Sequence, residues 1–299
     1  MPQLPILQHT LSQAVAFTGV GLHTGERVRA KLKPAPVGQG IVFVRTDVSG
    51  RDNRVEAAPL AVTESQLNTR LVNAAGVEVS TIEHLMAAFA ALSVDNATVE
   101  LDGPELPILD GSAAPFVKLI DQAGRRAQEG PRRHIEILRP VEVIDGQKRA
   151  ALLPAAGFEL AFTIDFASTV IGAQSIELQV TEQSFRQELS AARTFGFLHE
   201  VEALRAKGLC LGGSLDNAVV IDGDTILNDE GLRFDRDEFV RHKALDAIGD
   251  LYVLGAPLIG RFEGVRAGHA INNALVRALV AQPDAWRYRL IDQELAEAV

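Results

Sequence analysis

The sequence predicts an α+β protein built from two domains of similar topology, each a sheet with paired helices. Strand-like runs precede helix-like runs in each half instead of alternating with them, and the order of elements in residues 1–125 recurs in residues 133–299. Between the halves lies GRRAQEGPRRH, charged and broken by Gly and Pro, which reads as a linker over residues 126–132.

The elements follow in order. RVRAKLKP alternates polar and apolar residues as a half-buried strand does, and GIVFVRT is the β-branched run of a buried one. STIEHLMAAFAAL has helical composition and is apolar on nearly every face. The strand-like NATVEL follows it, then a turn at DGPELPILDGS, where Asp110 or Ser112 can cap the helix-like APFVKLIDQAG. The second half repeats the pattern. HIEILRPVEVI, KRAALLP and FELAFTIDF read as strands, EFVRHKALDAIGDLYVLG as a helix, LIGRFEGV as a strand, RAGH as a turn and AINNALVRALVAQ as a helix. One unit used twice implies a cleft between the copies.

Composition limits what that cleft serves. With 299 residues, 47% of them hydrophobic, the chain has ample core for one or two domains. Its net charge of -10 argues against a nucleic-acid binder, whose footprint is a basic face. No apolar run reaches the roughly 18 residues of a membrane span. The start, MPQLPILQHTLSQAVAF, lacks the pattern of a secretory signal, so a cytoplasmic location is expected; separately, the chain is expected to be a monomer. The single cysteine, Cys210, excludes an internal disulfide and a multi-thiolate metal site, and reads as a small buried thiol.

The polar residues of the apolar helices carry the chemistry. His242 and Asp246 stand four apart on one helical face, and Asp250 extends the row by a turn. In the first half, Glu83 and His84 open a helix otherwise made of Leu, Met, Ala and Phe. His23, in the Gly-rich GVGLHTGE, and His269, at the turn after the second long helix, can reach the same cleft, whereas His9, His134 and His199 read as surface or packing residues. One imidazole from each half plus Asp246 makes the nitrogen and oxygen set of a catalytic zinc site with its fourth position open.

Eight strings, GVGLHTGE, STIEHLMAAFAAL, LPILDGSAAPFV, ARTFGF, GGSLDNAVV, LNDEGLRF, HKALDAIGDLYVLG and GHAINNAL, occur in order from about residue 10 to residue 280. Together they resemble the UDP-3-O-acyl-N-acetylglucosamine deacetylases, zinc amidases that release acetate at the committed step of lipid A biosynthesis in Gram-negative bacteria. The resemblance implies helices packed between two sheets and an active site at the domain junction. It implies His84, His242 and Asp246 as zinc ligands, Glu83 as general base, His269 as general acid oriented by Asp250, and Thr194 facing the developing oxyanion. Lys243 corresponds to a substrate-binding lysine. The substrate so implied carries a UDP group and a fatty acyl chain, and the insert between Thr194 and Asn217 is expected to form an acyl passage lined by Phe195, Phe197 and Leu204, with Leu198, Leu209 and Leu211. Two other readings stand beside it: another metal-dependent hydrolase on the same scaffold, or a binding protein without catalysis, for which a metal set with an acid and a base would be superfluous. The tail IDQELAEAV matches no motif of the family.

Overall fold

The structure, a computed structural model, describes residues 6–63 and 67–291. The tail residues 292–299 lie outside the described residues. Its helices are α1 (Glu83–Ala91), α2 (Ala114–Ala123), the short α3 (Glu182–Ser184), α4 (Leu198–Ala206), α5 (Glu238–Tyr252) and α6 (His269–Val280).

Two sheets carry the repeat. The first runs in spatial order Val15–Val20, Arg27–Pro34, Ala97–Leu101, Ile41–Arg45, Arg54–Glu56. Within the seven-stranded second sheet the corresponding run is Val141–Asp145, Lys148–Leu153, Leu258–Val265, Phe158–Asp165, Ala173–Gln179. In both, the central strand follows a long helix and is antiparallel to one neighbour and parallel to the other. Arg133–Ile137 and Trp286–Leu290 extend the second sheet, Arg133–Ile137 pairing parallel with the start of Leu258–Val265.

The helices fill the space between the sheets. α2 packs on Val15–Val20 and on α1, α5 on Phe158–Asp165 and Ala173–Gln179, and α6 on Val141–Asp145 and Lys148–Leu153. α1 lies along α5. Both are buried on nearly every face, as a helix apolar all round must be, so whatever polar groups they carry are taken out of water with them. Among the described residues no helix is long and apolar enough to cross a membrane.

The segment expected to link the halves is a strand: Arg125–Pro131 pairs antiparallel with Leu7–Leu11. Its charges do not prevent this, because a strand can hold its backbone in a ladder while its side chains find water or partners. Arg125 binds Glu182 and the Leu92 carbonyl, and Arg132 is buried against Asp95 at 2.7 Å. At the start of α2 no side chain caps Ala113 itself, but the Ser112 hydroxyl accepts from the Ala114 amide and the Asp110 carboxylate from the Ser112 amide.

His134 is a packing histidine with a cost. It is 1% exposed on the strand between Leu258–Val265 and Trp286–Leu290, and neither ring nitrogen has a hydrogen-bond partner among the described residues. Burial, then the charges of Arg132 and Arg289, hold its pKa down to about 3. The folded state therefore refuses a proton that the unfolded chain takes up near 6.5, so stability is lost as pH falls from 6.5 toward 3. His134→Leu should flatten that loss by about 1–3 kcal/mol at pH 4, measured by urea denaturation at pH 7 and pH 4. Parallel curves for variant and parent would show that His134 plays no part in acid sensitivity.

Candidate metal centre and catalytic cleft

The close approach of α1 and α5 builds the centre. Gly249 makes it possible: a Cβ there would lie 2.0 Å from the Glu83 carbonyl oxygen, so only glycine lets the N-terminal turn of α1 lie against α5. The result sets His84 opposite His242 and Asp246. Both imidazole Nε2 atoms stand 3.4 Å from Asp246 Oδ1, and the three donor atoms lie within 4.8 Å of one another.

The hydrogens of this cluster can be assigned by elimination. His242 Nδ1 lies 3.0 Å from the Ala192 carbonyl, which can only accept, so that nitrogen carries the proton. Burial above all, helped by His84 and Lys243 and opposed by Asp246, holds the His242 pKa down to about 3. The ring is neutral and Nε2 is bare. It faces Asp246 Oδ1, a buried oxygen without a hydrogen-bond partner among the described residues. Two lone pairs meeting at 3.4 Å in a buried site repel each other unless a cation lies between them. Ligand bonds of about 2.0–2.2 Å around a tetrahedral ion separate the donor atoms by about 3.3–3.5 Å, which is the distance from each imidazole Nε2 to Asp246 Oδ1.

A second cluster adjoins the first. Asp250, fully buried one turn beyond Asp246, accepts from His269 Nδ1 at 3.0 Å and from Asn272 Nδ2 at 2.9 Å. His269 opens α6, where both burial and the helix dipole disfavour its charged form. Burial is the largest effect on the ring, yet Asp250, Glu83 and Asp246 together outweigh it and raise the pKa to about 9. His269 Nε2 points between Glu83 Oε1 at 3.9 Å and Asp246 Oδ2 at 3.8 Å. Burial raises the Glu83 pKa, as do Asp246 and Asp250, against the pull of His269 and His84. Lys243 donates to Asp246 Oδ2 at 2.9 Å and lies over the Phe195 ring. Burial opposes its charge but Asp246 and the other carboxylates prevail, so its pKa is raised.

Three consecutive residues tie Thr194 to the ligands. The Ala192 carbonyl orients His242. The fully buried Arg193 binds Glu238 at the start of α5 through its backbone N–H at 3.0 Å and its Nε at 2.8 Å. Thr194 donates its N–H to the Gly111 carbonyl of the first half at 2.8 Å and accepts from Val219 N–H. Thr194, Lys243, His269 and His23 all line a cavity of about 900 Å³.

One side of the cavity wall is apolar, formed by Phe195, Phe197, Leu198, Val201 and Leu204. Leu209 and Leu211 are not in it; Leu211 is half exposed against Gly25. Cys210 lines it, its sulfur 3.9 Å from His23 Nδ1, with burial raising the thiol pKa. Arg266 and Lys148 stand on the same cavity. The reading of residue types missed five contributors. Thr69 carries no sequence signal, Arg193 stands in the string ARTFGF without a role of its own, Glu238 looks like an ordinary first-turn acid, and only the paired amides Asn272 and Asn273 in an apolar helix stand out.

The model of a protein family described as UDP-3-O-acyl N-acetylglycosamine deacetylase matches residues 8–281. The chain belongs to this deacetylase family. Proteins named UDP-3-O-acyl-N-acetylglucosamine deacetylase are similar along almost their whole length. The one from Phenylobacterium zucineum is 66% identical over 98% of this chain and 100% of its own. That from Acidithiobacillus ferrooxidans is 50% identical over 95% and 93%, and that from Shewanella sp. strain W3-18-1 is 50% identical over 97% and 94%.

If the spacing of α1 and α5 sets the donor cluster, Gly249→Ala should destabilise the protein by about 1–3 kcal/mol and weaken divalent-metal binding at least tenfold. Denaturation and competition against a chromogenic chelator measure the two effects. Unchanged metal affinity would contradict the dependence.

Proposed function

We propose that this chain hydrolyses the N-acetyl group of UDP-3-O-acyl-N-acetylglucosamine, releasing acetate, with one zinc ion held by His84, His242 and Asp246, as the committed step of lipid A biosynthesis in the cytoplasm. Family membership gives the reaction class. The observation that carries the metal is the bare His242 Nε2 facing an unpartnered Asp246 Oδ1 at 3.4 Å. Two imidazole nitrogens and one carboxylate oxygen fit zinc and leave a coordination position for water or substrate.

When bound, zinc lowers the pKa of water toward 7 and polarises the amide carbonyl. The chain's own groups supply the proton transfers. Glu83, buried beside His84, takes the proton of the attacking water; its environment makes it a stronger base than a solvated carboxylate. His269, held protonated by Asp250, gives a proton to the departing amine. Thr194 and Lys243 face the same cavity, where a hydroxyl donor and an ammonium stabilise negative charge as it develops on the carbonyl oxygen.

The cavity supports the acylated substrate. Phe195, Phe197 and Leu204 form its apolar side, where each buried methylene of an acyl chain contributes about 0.8 kcal/mol. The ammonium and guanidinium of Lys148 and Arg266 lie on the same cavity and suit the diphosphate. In this reading residues 1–125 supply Glu83 and His84, residues 133–299 supply the other ligands, the acid and the passage, and the working unit is a monomer.

The test is acetate release from UDP-3-O-acyl-N-acetylglucosamine by zinc-loaded protein, abolished by a chelator. Removing a ligand and removing the base should differ. His84→Ala or Asp246→Ala should lose zinc and activity together, whereas Glu83→Ala should retain zinc and lose about two to four orders of magnitude in turnover. Full zinc occupancy in His242→Ala would sink the ligand assignment.

A further inference from the structure

Thr69 touches the base Glu83 and Asp250, the carboxylate that orients the acid His269. It is fully buried and lies outside every motif that led to the site. Its backbone N–H donates to Glu83 Oε2 at 3.0 Å, and its hydroxyl lies 2.5 Å from Asp250 Oδ1. The direction of that second bond is determined. Asn273 Nδ2 donates to the Thr69 oxygen at 3.3 Å, and a carboxylate has no proton to give, so the single hydroxyl hydrogen of Thr69 points at Asp250.

A closed circuit results: Glu83 to Thr69, Thr69 to Asp250, Asp250 to His269 at 3.0 Å, and His269 Nε2 back toward Glu83 at 3.9 Å. Thr69 and Glu83 come from the first half, Asp250 and His269 from the second. Without the threonine hydroxyl, Asp250 keeps Asn272 and His269 but, among the described residues, loses the hydrogen bond that ties Oδ1 to the first half.

We propose that Thr69 is a positioning residue of the reaction, its hydroxyl fixing the Asp250–His269 pair at a set distance from Glu83. The inference rests on the reading of Glu83 and His269 as base and acid. It predicts that the hydroxyl matters to turnover and not to metal or substrate binding, because the hydrogen bonds of Thr69 go to Glu83, Asp250 and Asn273 and not to His84, His242 or Asp246, and Thr69 does not itself line the cavity.

Thr69→Val keeps shape and the backbone bond to Glu83 while removing the hydroxyl; Thr69→Ser keeps the hydroxyl. In the zinc-loaded full-length protein, Thr69→Val should lower kcat about 10–100-fold with KM within twofold and zinc content unchanged, and Thr69→Ser should stay within a few-fold of the parent. In an Asp250→Ala background, which leaves the Thr69 hydroxyl without its acceptor, the Thr69→Val loss should vanish, because both changes remove the same bond. The low-field proton resonance of His269 Nδ1–H should move in Thr69→Val and stay in Thr69→Ser. Should Thr69→Val not fold, Thr69→Ala carries the same test. An unchanged kcat in Thr69→Val, an equal loss in both backgrounds, or no rescue by serine would overturn the proposal. A failure of the underlying reading shows itself separately, as full turnover in Glu83→Ala or His269→Ala.

Discussion

The contact between Gly249 of α5 and the Glu83 backbone at the start of α1 is the constraint on which the rest of the structure depends. With 2.0 Å available where a Cβ would stand, the two helices approach as closely as backbones allow. That approach carries His84 across the junction of the two halves to within 3.4 Å of Asp246. The Ala-rich composition of α1 serves the same end, since small side chains let a buried helix lie flat against its neighbour.

The chemistry follows from what such packing does to charge. Glu83, Asp246 and Asp250 are all buried, and an uncompensated carboxylate away from water is expensive. Lys243 and a protonated His269 offset two of the three. Asp246 shares its second oxygen with Lys243 but turns its first toward two imidazoles, one of them demonstrably a bare acceptor. A cation between these donor atoms would relieve the arrangement, and the three groups could hold one. The buried Arg193–Glu238 pair has a related role, holding the segment that presents the Ala192 carbonyl and Thr194 against the helix that presents His242.

Much of this was legible in the sequence because it depends on periodicity. The i, i+4 spacing of His242 and Asp246 places both on one face of any helix, and an apolar run around them implies burial. The recurrence of elements implied the repeat, which appears as the same strand order in both sheets. What was not legible depends on contacts between distant segments. Arg125–Pro131 looked like a linker because charge and Gly mark loops, but Leu7–Leu11 gives its backbone a partner. Leu209 and Leu211 have the composition of an apolar wall, yet the turn they sit in carries them off the cavity. Thr69 is an ordinary threonine in an ordinary stretch, and becomes notable only once Glu83 and Asp250, 14 and 181 residues away, are brought to it.

The central claim, that two helices from the two halves jointly hold one zinc ion, is tested most directly by diffraction from zinc-loaded crystals at energies either side of the zinc absorption edge. The account predicts a single strong anomalous peak about 2.0–2.2 Å from His84 Nε2, His242 Nε2 and an Asp246 carboxylate oxygen. A peak bound elsewhere, or one that leaves any of these three beyond about 3 Å, would contradict it.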